Sequence, residues 1–516
     1  MSEAVVDQSA QGLARLSQPD SPLAPEAPQT FWRQKNLYYH QDLEKLHQFL
    51  IPSQKRVLQI GVGTGDLLDG LQPAYGVGID PDPAVIEQAQ QHFPRLNWQV
   101  QKLEALTWDP RWGAESDCFD PFDYIIFPNT LSRVSDIQQV FERVRPLCSA
   151  ATRLIISSHN PLWEPLLQMA SWLKQRMPLP ALNWLSQQDI ANLLDLAGFE
   201  TIRQGKRLLM PKSIPLLASL INRGLAPLPG FNHLCLTEYM VSRPQIPPST
   251  FPTRHQPLQG ITPVVDLKVD PINPAESLSC SVIIPARNEA GNILNCVQNL
   301  PLMGSHTEII FVEGHSTDHT WLEIQKIQAE WATQRDIKIM QQDGKGKADA
   351  VRKGFAAATG DILMILDADL TVQAEDMPKF FRAVATGRCD FANGCRLIYP
   401  LNRSSMPDAN RWGNRFFAAL LSYILNIRIK DSLCGTKVLR RSDYLEILAN
   451  QHYFGDFDPF GDFDLLLGAT KNNLKIVDIP VRYYPRVYGR SNIQHVRDGL
   501  KLLKICWFAA QKFKFS

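Results

Sequence analysis

The sequence predicts an α/β protein of two domains, and three observations carry that reading. Short apolar runs ending in polar, acidic or glycine-rich tips alternate with stretches of helical periodicity, the pattern of a buried, mostly parallel sheet covered by helices. The rhythm occurs twice, over residues 31–243 and again over 279–516. Between the two, 244–278 carries Pro244, Pro247, Pro248, Pro252, Pro257, Pro263, Pro271 and Pro274, an extended and fairly stiff connector.

Composition bounds the function. The chain has 516 residues, 53 Lys and Arg against 52 Asp and Glu, and so gives no argument for a nucleic-acid partner. Its nine cysteines are scattered with no C-x-x-C pair, which fits reduced thiols better than a disulfide framework or a zinc site. No basic-then-apolar leader opens the chain, and no apolar run reaches the roughly 18 residues a membrane span needs. The longest candidate, Phe416 to Ile427, is too short. The expectation is a cytoplasmic protein.

Residues 1–30 read as disordered, polar and interrupted by Pro19, Pro22, Pro25 and Pro28. A helix follows over Trp32 to Phe49, where Leu37, Tyr38, Leu43, Leu46 and Phe49 recur at helical spacing. Then comes RVLQIGVGTGDLL from Arg56, a strand, a glycine turn and a helix start. Gly61, Gly63 and Gly65 lack the Cβ atoms that would block a ligand, and the helix start offers free N–H groups. A second strand ends at Asp80, about twenty residues beyond the glycines, where an acid can grip ribose hydroxyls. Strands at Phe122–Phe127 and Arg153–Ser157, helices at Asp136–Val144 and Asp189–Leu196, and a closing strand pair to about Val241 continue the rhythm.

The glycine turn, GVGID, FDYIIF and LDLAGFE resemble a class I S-adenosylmethionine-dependent methyltransferase, which has a Rossmann-like fold. The resemblance implies S-adenosylmethionine as cofactor, with Gly61, Gly63 and Gly65 around its methionine part and Asp80 on its ribose. Two positions depart from the family: Gln59 stands where an acid is usual, and Lys102-Leu103 stand where an acid near the adenine is expected, with Glu104 as a stand-in. His159 follows a strand at the right edge, but no methyl-acceptor base stands out.

The second domain is organised around TGDILMILDADLT, Thr359 to Thr371. Alternate residues of a strand share a face, so Asp367 and Asp369 can aim two carboxylates at one point where the strand ends. Two hard oxygen ligands with room for phosphate oxygens suit Mg²⁺ or Mn²⁺ on a diphosphate. The bland alternative is a turn, where Asp is common. Upstream, SVIIPARNE is a buried strand with a polar tip, EIIFVEGHSTDHT a second, and DGKGKADAVRKGF places glycines and lysines at a helix start, an anion-holding arrangement.

In order and spacing, these segments together with DSLCGTKVL, FGDFDLL and YYPRVYGRSNI resemble a family 2 glycosyltransferase with the GT-A nucleotide-sugar-binding fold, closest in pattern to polyprenyl- or dolichol-phosphate sugar synthases. The resemblance implies a nucleoside-diphosphate sugar donor and a polyprenyl phosphate or glycan acceptor. It implies Pro285, Arg287, Glu289 and Glu313 along the nucleoside pocket, Lys347 and Asp349 near base or phosphates, and Asp367 and Asp369 on the metal. Asp464 is implied as the base, with Asp431 as the other candidate on the acceptor side, and Arg486, with Gly489 and Ser491, as a phosphate clamp. The last stretch, His495 to Phe515, is a basic amphipathic helix that either packs on its own domain or lies in a membrane surface. Three readings stay open: a nucleotidyltransferase, which also uses paired acids on such a sheet but normally needs a G-x-G-T-R-type loop where this chain has SVIIPARNE; a glycosyltransferase fused to an active methyltransferase; and one carrying a methyltransferase-like domain that only binds.

Overall fold

The structure, a computed structural model, describes residues 29–106, 120–177, 183–245, 274–399, 406, 408–450, 461–489 and 495–515. The expected disordered N-terminus and most of the proline-rich connector lie outside these residues. Each half is built on a seven-stranded sheet.

The first sheet comprises β1 (Arg56–Ile60), β2 (Tyr75–Asp80), β3 (Asn97–Val100), β4 (Phe122–Pro128), β5 (Cys148–His159), β6 (Phe199–Arg207) and β7 (Thr237–Pro244), in the order β3-β2-β1-β4-β5-β7-β6. Only β7 runs against its neighbours. The closing strand continues to Pro244, three residues past its expected end, because Phe199 pairs with Pro244 across the β6–β7 ladder. The helical stretch before β1 is two helices; the longer, α1 (Leu37–Leu50), buries Leu43, Leu46 and Leu50. Strand order reverses on either side of β1, so the glycine turn after it opens onto the crevice where α/β sheets hold ligands.

The second sheet comprises β8 (Cys280–Ala286), β9 (Thr307–Glu313), β10 (Asp336–Gln341), β11 (Ile362–Ile365), β12 (Phe391–Cys395), β13 (Lys437–Arg440) and β14 (Ile476–Pro480), in the order β10-β9-β8-β11-β13-β12-β14. Its switch point lies between β8 and β11, whose ends carry Arg287-Asn288-Glu289 and Asp367-Ala368-Asp369. The helices that position the site are α2 (Lys347–Ala357), α3 (Asp408–Leu425), α4 (Asp462–Lys471) and α5 (His495–Phe513). The last of these buries Leu502, Ile505, Cys506, Ala509, Ala510 and Phe513, so it packs on its own chain along one face. Among the described residues no helix is long and apolar enough to cross a membrane.

The two sheets meet along a buried polar seam. Asp390, just before β12, accepts from Arg153 of β5 at 2.7 Å and from Arg243 of β7 at 2.6 Å. Arg243 is fully buried; it also bonds Glu200 at 2.8 Å and donates to the Gly387 carbonyl at 2.7 Å. Arg153 further donates to the Asn473 carbonyl at 2.8 Å, and Asn473 returns a bond to the Leu50 carbonyl at 2.7 Å. Phe49 of α1 meets Phe513 of α5 edge to face, ring centres 5.5 Å apart. Removing one partner of such a buried pair strands the other charge, at a cost of about 3–5 kcal/mol. Arg243→Ala should therefore lower the melting temperature of both halves together, read by calorimetry of the intact chain. Two separate transitions, one unmoved by the substitution, would show that the seam does not couple the halves.

Candidate active site at the strand edge

The DAD segment departs from the sequence reading in one respect. The strand β11 stops at Ile365, and Asp367 and Asp369 stand in a turn closed by Leu370 N–H donating to the Asp367 carbonyl at 3.1 Å. Strand alternation therefore does not orient the two acids; their partners do. Lys347, the first residue of α2, meets Asp367 at 2.5 Å. Arg486, after β14, meets Asp369 at 2.5 Å and Glu289 at 2.9 Å. Asp369 also accepts from the Thr371 hydroxyl at 2.9 Å and backbone N–H at 3.1 Å.

These contacts join the ends of β8 and β11, the start of α2 and the loop after β14 around one point. Burial pushes the Asp367 carboxyl up, but the Lys347 ammonium, with Arg396 and Lys437 further off, outweighs it and holds the group below its ordinary value. Glu289 goes the other way: burial raises it to about 7, against the lowering pull of Arg486 and of the Asn292 amide. The stability that Glu289 contributes is thus greatest when it is protonated, and falls as pH rises through its range.

Other expected residues serve the frame of the site. Glu313, fully buried, accepts from Ser316 N–H at 2.5 Å and the Gln341 amide at 2.9 Å, tying β9 to the loop after it. Asp349 accepts from Gly344 N–H at 2.8 Å and so fastens the glycine-lysine loop back onto α2. Pro285 is half-buried in β8, and Arg287 is exposed beyond it. Asp431 is wholly buried: Arg396 donates to it from Nε at 2.8 Å, from Nη2 at 2.9 Å and from its backbone at 3.0 Å, and Leu433 N–H adds a bond at 3.1 Å. Burial works against ionisation there, and Arg396 more than offsets it, holding Asp431 below its ordinary value. Asp464 is the third residue of α4 and is partly open; Arg352 of α2 donates to it at 2.9 Å. Gly461 packs on Ala348, which sets the start of α4 beside the start of α2. Gly489 lies against Asn288 and Glu289 at positive φ, whereas Ser491 and Arg490 fall outside the described residues.

In the first half, the three glycines divide by what surrounds them. A Cβ on Gly61 would overlap the Thr130 hydroxyl, which donates to the Ile60 carbonyl at 2.6 Å. Gly65 is packed by Phe93, Trp98 and Ala89. Only at Gly63 would a Cβ point into open space, so the expectation that all three clear room for a ligand is corrected: two are demanded by the protein's own side chains. Asp80, buried, accepts from Val62 N–H at 2.9 Å and Asp82 N–H at 3.1 Å. Gln59 donates from its amide to the Gly61 and Val62 carbonyls at 3.0 and 3.1 Å, contacts that an acid at that position cannot make. Glu104 accepts from Ser135 N–H at 3.0 Å and its hydroxyl at 2.6 Å. His159, at the end of β5, stacks near Tyr39 and is pushed down to about 3 by burial.

A family model for Glycosyl transferase family 2 matches residues 281–448, and one for a methyltransferase domain matches 31–204. The chain joins a methyltransferase domain to a family 2 glycosyltransferase domain. The glycosyltransferase half is 27% identical over 241 residues to a low-salt glycan biosynthesis hexosyltransferase of Haloferax volcanii, covering 46% of this chain and 55% of that protein. It is 28% identical over 247 residues to a dolichol-phosphate mannosyltransferase of Pyrococcus furiosus, covering 44% of this chain and 64% of that protein. The chain thus spans well under the full length of these relatives. A SAM-dependent methyltransferase structure from Thermotoga maritima aligns at 16% identity and a TM-score of 0.31, covering 42% of this chain and 93% of that one.

Within the glycosyltransferase domain, Gly435 is a residue that motif reading passed over. A Cβ there would overlap both the Asp367 carboxylate and the Lys347 ammonium, so the Cys434-Gly435-Thr436 turn forms the back wall of the pair. Its signal was the small residue in DSLCGTKVL, whose meaning depends on a fold that brings it to Asp367. Gly435→Ala should displace the Lys347–Asp367 pair and weaken nucleoside-diphosphate binding about ten-fold or more, about 1.4 kcal/mol, with little change in melting temperature. Titration calorimetry checks it; unchanged affinity would mean the pair lies away from the ligand.

Proposed function

We propose that the chain transfers a sugar from a UDP- or GDP-sugar, with a divalent metal and inversion at the anomeric carbon, to a polyprenyl phosphate or glycan acceptor. The observation that carries this reading is the charge pairing at the strand edge, Lys347 with Asp367 and Arg486 with Asp369 and Glu289. The carboxylate oxygens of Asp367 and Asp369 are hard donors at a partly open edge, the donor set Mg²⁺ or Mn²⁺ prefers. An ion bound there would neutralise charge developing on the leaving diphosphate. Lys347 and Arg486, the counter-charges of those acids, are the groups that would take the phosphate oxygens. Arg287 and Glu313 would flank the nucleoside with Pro285 and Asp349.

Asp464 suits the role of base, being partly open, whereas Asp431 is sealed under Arg396 and acts as a positioning residue for the turn that carries Gly435. A hydroxyl acceptor must lose its proton to a base. A phosphate acceptor, with a second pKa near about 6, is already an anion and needs orientation. The name of the Pyrococcus furiosus relative supports the lipid phosphate. So do two packed helices that expose Trp412 and Phe416 on α3 and Leu500, Leu503 and Trp507 on α5, with Arg415 and Lys504 among them, a face suited to peripheral contact with an anionic membrane.

Purified protein with Mg²⁺ or Mn²⁺ should hydrolyse one class of UDP- or GDP-sugar, and Asp369→Ala should abolish this; hydrolysis that survives the substitution would overturn the site. Asp464→Asn should abolish transfer to a hydroxyl and only weaken transfer to a phosphate, and equal loss with both acceptors would remove Asp464 from the role of base. With acceptor supplied in anionic vesicles, Trp507→Ala should slow transfer several-fold yet leave soluble donor hydrolysis unchanged.

For the N-terminal half, the open space at Gly63 and the buried carboxylate of Asp80 under the glycine turn support S-adenosylmethionine binding. The second reading, a methyltransferase domain that serves as a scaffold, draws on Asp80, whose two oxygens both already accept backbone N–H groups. Calorimetry on the intact chain separates them: S-adenosylmethionine should bind, and Gly63→Val should abolish binding. Absence of binding by a folded wild-type chain would favour the scaffold.

A further inference from the structure

A cavity of about 110 Å³ lies in the seam between the halves, walled by α1 and β6 on one side and by Asn426, Phe513 and Lys514 on the other. That is room for several waters. Its lining is strongly cationic: Lys45, Lys206, Arg207, Arg223 and Lys514 face it, with Asp42 as the one acid. Two of these cations are answered. Arg207 grips Asp42 through bonds of 2.6 and 2.9 Å, and Lys206 pairs with Glu238 at 2.5 Å. Lys45 and Arg223 stand exposed with no carboxylate partner among the described residues. Lys514 donates to the Asn426 side chain and sits 4.6 Å from the Tyr423 ring, again with no acid.

A second observation points the same way. Arg203 is buried behind the aromatic wall of the cavity, 5.7–5.9 Å from the ring centres of Phe49, Tyr239 and Phe513. Among the described residues its one polar contact is with the Tyr239 hydroxyl at 3.4 Å, and its Nε and Nη1 have no partner there. A buried cation without a counter-charge is costly. The field is felt nearby: burial, then the Arg203 charge, push Lys514 and Lys471 down to about 8. The seam therefore holds positive charge that the described residues do not balance.

We propose that this cavity binds a phosphate-bearing anion, held by Lys45, Arg223 and Lys514 and attracted by the buried charge of Arg203. Converging ammonium and guanidinium groups favour a multiply charged oxyanion over chloride or a single carboxylate. The phosphate is either free or part of a nucleotide. Because the walls come from both halves, its binding clamps the methyltransferase domain to the end of α5. The site is independent of the strand-edge chemistry.

The test uses the intact chain and inorganic diphosphate, in chloride buffer, followed by thermal shift and calorimetry. Diphosphate should raise the melting temperature of wild type and of Lys347→Ala, whose substitution lies at the other site. In Lys45→Glu/Arg223→Glu, two exposed positions, affinity should fall about ten-fold or more, the loss expected from reversing two nearby charges, with the melting temperature in chloride alone unchanged. Equal response in wild type and the double variant would overturn the proposal, as would a response lost in Lys347→Ala. If the double variant does not fold, Lys514→Met replaces it with the same expected loss. A parallel arm with uridine monophosphate against free phosphate tells the sources apart: equal affinity assigns the phosphate alone, and tighter binding assigns a nucleotide.

Discussion

Asp390 sits between two arginines of the other domain, and the arrangement of the whole molecule depends on that grip. Arg153 comes from β5 and Arg243 from β7, neighbours in the first sheet, while Asp390 immediately precedes β12 in the second. One carboxylate thereby registers two sheets against each other. Lys475 extends the contact, through its backbone to Asp390 and its ammonium to Glu200. Buried charges are costly unless they are paired and hydrogen-bonded, and here the Gly387, Arg388 and Asn473 carbonyls, with those of Ala150, Ala151 and Thr152, take up further guanidinium hydrogens. A seam so specific holds α5 in one place, since Phe513 and Lys514 at its end are pressed against α1 and Asn426.

The strand edge follows the same logic with the opposite purpose. Its carboxylates are paired with Lys347 and Arg486 at a partly open rim. Behind them the pairs are sealed. Asp431 is locked in the interior by four bonds, three from Arg396 and one from Leu433 N–H, next to the turn whose Gly435 backs the Lys347–Asp367 pair. The two kinds of ion pair differ in exposure, open at the rim and sealed behind it.

Several of these positions were legible in the chain order. The strand tips at Glu289, Glu313 and Asp367, the lysine-glycine helix start and the glycine turn before Asp80 all read correctly as strand and helix ends, because apolar runs and breakers are local signals. Others were misread for physical reasons. Asp367 and Asp369 were expected to share a face of an extended strand, but a turn intervenes after Ile365. Gly61 and Gly65 were expected to make room for a ligand and instead make room for Thr130 and Trp98, side chains from remote parts of the chain.

By itself the sequence determined the two α/β halves, the order of their strands along the chain and the polar or glycine-rich tips at which the strands end, since periodicity and punctuation depend only on neighbouring residues. Tertiary structure alone decided which charges answer one another: Arg486 with Asp369 and Glu289, Arg396 with Asp431, Arg243 with Asp390, and, among the described residues, no acid with Arg203. Ion pairing acts over a few ångströms between residues up to hundreds of positions apart, and only the packed fold sets those distances.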